Sequence, residues 1–92
     1  MADEGKLRKE IAETDEAILQ TRIRLDEINR RMATASEAEL TVLKQTLEKE
    51  NLILQYQQEG LKAAQDTLEA QRKIAEAAKD SASALEDFID NS

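Results

Sequence analysis

The sequence predicts an all-α protein: an antiparallel helical hairpin of coiled-coil type, with a short first helix and a long second helix, assembling into a helical-bundle oligomer. Three observations carry that expectation. Leucines recur every seventh residue at Leu40, Leu47, Leu54, Leu61 and Leu68, and the same phase continues through Ala75 and Ala82 to Ile89. A second seam of the same spacing occupies the first third of the chain. Proline is absent and glycine occurs only at Gly5 and Gly60, so little punctuates a helix. Apolar residues at this three–four spacing hold one stripe of a helix against a neighbouring helix. The 92 residues read as a single helical domain, with a helix over about 6–33, a corner over about 33–36 and a helix over about 37–90.

The first helix is expected from near Lys6 to about Ala33. Its seam is Leu7, Ile11, Thr14, Ile18, Thr21, Leu25, Ile28 and Met32, and its apolar members close the hairpin. Two threonines replace large residues at the d positions, where a hydroxyl can bond back to the carbonyl one turn earlier. Leu19 and Ile23 lie off the seam, on a second face that suggests a third neighbour.

The corner follows from a slip in register. Continuing the first seam past Met32 would put Ala35 and Glu39 in the core, whereas the leucine ladder starts at Leu40. Ser36 followed three residues later by Glu39 fits a capping box that restarts a helix at Glu37, and Thr34 with Glu37 offers the same motif earlier. A continuous helix with a stutter is the alternative path.

The second helix carries more than one stripe. Leu43, Ala64, Ala78 and Leu85 share the seam with the ladder, and Glu50, Gln57 and Gln71 fill the intervening rungs. Beside them runs a face of Val42, Ile53, Tyr56, Gly60, Ala63, Thr67, Ala70, Ile74, Ala77, Ala84 and Phe88. An apolar arc this wide suits a helix packed against two partners rather than one.

Gly60 bears on the architecture. If the helix continues through it, residues 37–90 span roughly 80 Å while the first helix reaches roughly 42 Å. A folded-back first helix is then expected to leave Leu61, Leu68, Leu85 and Ile89 exposed, to be covered by self-association. The oligomer interface expected on this reading is Leu40, Leu43, Leu47, Leu54, Leu61, Leu68, Leu85 and Ile89. If glycine stops the helix instead, the chain closes as a monomeric three-helix bundle with a turn at Gly60.

Composition narrows the function classes. The net charge of −7 argues against nucleic acid as a partner, because a phosphate backbone rewards lysine and arginine. No apolar run approaches a membrane span, and the acidic start Met1-Ala2-Asp3-Glu4 lacks the basic opening of a signal peptide. A cytoplasmic protein is the expectation. Histidine and cysteine are both missing, which removes the usual general base, the commonest metal ligand and thiol chemistry. Glu10, Glu13 and Glu16 fall on polar faces, and neither lone glycine can cradle a phosphate. No catalytic residue, metal or cofactor is expected. The arginines Arg22, Arg24, Arg30 and Arg31 form the one basic patch. Arg24 and Arg31 flank the seam at g, where they would pair with glutamates of another helix. The patch is also the candidate site for an anion or an acidic partner.

Leu7-Arg8, Ile11, Asp15, Ile18 and Leu19 resemble the opening of the all-helical chorismate mutase family, L-R-x-x-I-x-x-x-D-x-x-I-L. The resemblance implies a dicarboxylate held by basic side chains inside an intertwined dimer. It covers about a dozen residues. Leu25 stands where that family has a second active-site arginine, and its later D-x-x-R-E signature is absent. The expected function is therefore a non-catalytic interaction protein, a scaffold, spacer or adaptor that binds itself or another helical protein. The alternative is a small acidic inhibitor or sequestering protein, of the kind viruses and mobile elements encode, binding a host factor or a small anion. A chorismate mutase-like enzyme is the remote alternative.

Overall fold

A computed structural model describes residues 3–90. The described chain is two helices, α1 (Glu4–Met32) and α2 (Glu37–Asp90), with no strand between or beside them. They fold back on each other as a hairpin with extents of 83 × 19 × 15 Å.

Helix α1 starts two residues before the expected Lys6, because Asp3 caps it. The Asp3 carboxylate accepts the Gly5 N–H at 3.0 Å, and its carbonyl accepts the Leu7 N–H at 3.0 Å. A carboxylate at this position satisfies an otherwise orphaned donor. At the far end Arg30 and Arg31 sit in the last turn, where cations suit the partial negative charge of the free carbonyls. The Ala33 and Thr34 N–H groups donate to the carbonyls of Arg30 and Arg31, both at 3.3 Å, and tighten the chain out of the helix.

The corner occupies residues 33–36, as the slip in register requires. Of the two candidate caps, Ser36 takes the role. Its Oγ accepts the Glu39 N–H at 3.4 Å and its carbonyl accepts the Leu40 N–H at 2.8 Å. Helix α2 then runs unbroken for 54 residues. Gly60 lies inside it without a positive φ. The turn that would have made a three-helix bundle does not form, for a packing reason. The seam residues Leu54 and Leu61, on either side of the glycine, both lose exposure to the same neighbouring helix. That burial outweighs the roughly 1 kcal/mol that one glycine costs a helix.

The core is a single seam. Leu7, Ile18, Thr21 and Ile28 of α1 are buried, with Ile11, Thr14, Ala17, Leu25 and Met32 half-buried beside them. On α2 the half-buried residues are Leu40, Leu43, Leu47, Glu50, Leu54, Gln57, Leu61, Ala64, Leu68 and Gln71. Leu61 and Leu68, expected to stand exposed, are therefore covered. The reason is reach. Starting at Glu4, α1 extends level with Arg72, where Arg72 Nε meets Glu4 Oε1 at 3.7 Å. Leu85 and Ile89 lie beyond that point and are 60% and 62% exposed. From residue 73 onward α2 continues past its neighbour as a single helix.

Candidate interaction surface

The hairpin's own seam takes up most of the residues singled out by spacing. Leu40, Leu43, Leu47, Leu54, Leu61 and Leu68 are turned toward α1, level with Leu7, Ile11, Ile18, Leu25, Ile28 and Met32. Two ladders that look separate in the sequence are the two halves of one interface. The surface left for another molecule is thus defined by what the seam does not use.

Midway along the seam sits a polar cluster. Thr21 is fully buried. Its Oγ1 lies 3.0 Å from the Ala17 carbonyl and 2.8 Å from Gln57 Oε1 across the interface. A hydroxyl has one proton, so it donates to one of these oxygens at a time. With the Gln57 amide turned over, Thr21 donates to Ala17 and accepts from the amide nitrogen. Arg24 Nη2 also donates to Thr21 Oγ1, at 3.0 Å, while its Nε donates to Glu50 Oε2 at 3.1 Å. The Glu50 side chain is only 16% exposed, so this pair is better shielded from solvent than the hairpin's surface pairs. Among the described residues, no buried side-chain nitrogen or oxygen lacks a hydrogen-bond partner.

The cluster explains two of the polar rungs, Glu50 and Gln57. Each meets a polar residue of α1 rather than a second copy. Sequence reasoning placed Arg24 beside a glutamate of another helix without identifying which one. It missed the Thr21–Gln57 bond altogether. The sequence signal was only that both residues are polar members of a seam, since the corner alone does not set Thr21 level with Gln57.

The four arginines do not gather. At about 100° of rotation per residue, Arg22 lies roughly 160° round the helix from Arg24, and Arg30 roughly 120°. Arg24 is engaged with Glu50, and Arg31 pairs with Glu27 within its own helix at 3.1 Å. A shallow groove on that flank is lined by Ile23, Arg24, Ile28, Arg31, Val42 and Leu43. Its two arginines are already matched by Glu27 and Glu50, which also line it.

At the open end, Arg8 forms an ion pair with Glu4 at 2.7 Å. The Arg8 guanidinium, by hydrogen bond and charge, holds the Glu4 carboxyl below its ordinary value, and Arg72 adds to this across the interface. Arg8 lies on the exposed surface of α1, in contact with Glu4. Among the described residues no cluster of Asp or Glu could hold a metal ion. No described helix is long and apolar enough to cross a membrane.

Large apolar side chains remain exposed on both helices, Leu52 among them. Val42, Ile53, Tyr56, Ile74 and Phe88 stand out along α2, on the stripe beside its seam. Phe88 is 72% exposed and Tyr56 74%, and these are the chain's two aromatics. Leu19 and Ile23 form a smaller exposed pair on the outer side of α1. No family model matches this chain, and neither curated proteins nor solved structures give a match to it.

Proposed function

We propose that this protein is a non-catalytic interaction protein, a helical hairpin that serves as a scaffold or spacer by associating with copies of itself. One observation carries the reading. The hairpin satisfies its own seam, yet α2 still presents Ile74, Leu85, Phe88 and Ile89 on a helix that has outrun its neighbour. Soluble proteins seldom leave large apolar side chains lined up along one element unless another surface covers them. The chemistry of the chain supports the same reading, since histidine and cysteine are absent. An elongated rod with a sticky end is suited to spacing and joining, not to enclosing a substrate.

Light scattering on material eluting from a sizing column, over a wide concentration range, tests this. The expected result is a mass that rises from one chain toward a multiple of it as concentration increases. A mass of one chain at every concentration would overturn self-association.

A further inference from the structure

Resting on that reading, we infer that the partner surface is the distal stretch of α2, residues 73–90, and that it pairs antiparallel with the same stretch of a second copy to give a tail-to-tail dimer. The seam that closes the hairpin continues into this stretch without a change of phase. Ala75, Ala82 and Ile89 are its a positions and Ala78 and Leu85 its d positions, while Lys79 and Glu86 flank it at e. All of them are exposed.

Three features select a second copy, in one register. The first is length. The N-terminal end of α1 fills the seam as far as Arg72. A second tail laid antiparallel about a centre between Ser83 and Ala84 brings its Asp90 level with Ala77, clear of that end. The second is size. In antiparallel helices a faces d, so in this register Ala78 faces Ile89 of the second copy and Ala82 faces its Leu85. Each large side chain meets an alanine, and symmetry repeats both contacts. Large opposite small is how facing helices interdigitate without voids. The third is charge. Flanking e positions face each other, which sets Lys79 against Glu86 of the second copy, twice. A parallel pair brings e against g instead, setting Lys79 near Ile74 and Glu86 near Ser81, with neither charge matched.

The overlap spans residues 77–90 of each copy, fewer than the roughly 20–30 residues a side of a standard interface. The dimer is therefore reversible and forms at high protein concentration. Its shape is distinctive. At 1.5 Å per residue the two corners stand roughly 145 Å apart, whereas one hairpin measures 83 Å. Side-by-side packing of two hairpins would keep the shorter dimension.

The test combines sedimentation equilibrium with small-angle X-ray scattering on the full chain, up to the millimolar range. The expected result is a monomer–dimer equilibrium whose dimer has a maximum dimension near 145 Å. Lys79→Glu is expected to weaken it about tenfold, and Glu86→Lys likewise, by replacing two attractions with two repulsions. The double variant with both changes is expected to regain wild-type affinity. Residues 79 and 86 are seven apart on one helix and do not touch within a copy, so rescue reports contact between copies. Circular dichroism confirms that each variant keeps its helices. A dimer close to 83 Å long, or a double variant that fails to recover, overturns the tail-to-tail pairing while leaving self-association standing. A monomer throughout overturns both.

Discussion

Thr21 shows how one polar residue can shape a seam that leucine would fill more tightly. Its hydroxyl is buried between Ala17, Gln57 and Arg24. Removing it with Thr21→Val leaves Gln57 and Arg24 short of a partner in a half-buried place. We expect a loss of about 1 kcal/mol of stability, measured by urea unfolding. Adding Gln57→Leu removes the stranded amide as well. The double variant is expected to recover that loss or exceed it, since an apolar pair of similar shape replaces a polar one. Its register is expected to loosen, because Thr21–Gln57 favours one alignment of the two helices over a slip by one turn. At the open end, Glu4 tests electrostatics. Its folded-state pKa is depressed by Arg8 and Arg72, so whatever stability it adds is present above the unfolded pKa and lost as pH falls through the folded one. The difference in melting temperature between wild type and Glu4→Gln should therefore exist at neutral pH and close on acidification below the ordinary carboxylate range. A gap that persists in acid would assign the effect to packing instead. The effect is small, because the pair is solvent-exposed.

Among the elements, α2 is the one whose path the sequence left open. The corner was legible because a phase slip and Ser36 ahead of Glu39 coincided. The start of α1 was set two residues late because Asp3, as a cap, lies outside the apolar pattern. Gly60 was ambiguous for a physical reason: a glycine inside a helix and a glycine ending one share the same local sequence, and only burial on both sides separates them. A Cβ added at Gly60 would meet nothing within 4 Å, and the backbone there is helical. Gly60→Ala should therefore stabilise the hairpin by about 0.5–1 kcal/mol, with an unchanged helical signal. A destabilised variant would mean that the chain turns at this residue. The leucine ladder was legible as a ladder but not as α1's counterpart. Heptad phase says that a face is buried and is silent on which helix buries it.

The whole molecule divides into a closed hairpin and an overhang of one helix. Within the hairpin, residues 4–72 support one another across a seam that alternates leucine and isoleucine layers with the Thr21 cluster. Beyond it, residues 73–90 run past α1 and are exposed throughout. A lone helix of that length is marginal in water. One rod thus carries two stabilities, and under the tail-to-tail pairing that of the overhang depends on a second copy. Amide hydrogen exchange at low and high protein concentration tests this most directly. We expect exchange over residues 75–90 to slow markedly as concentration rises, while residues 4–72 exchange at the same rate throughout. An overhang that exchanges at one rate at every concentration would contradict the account.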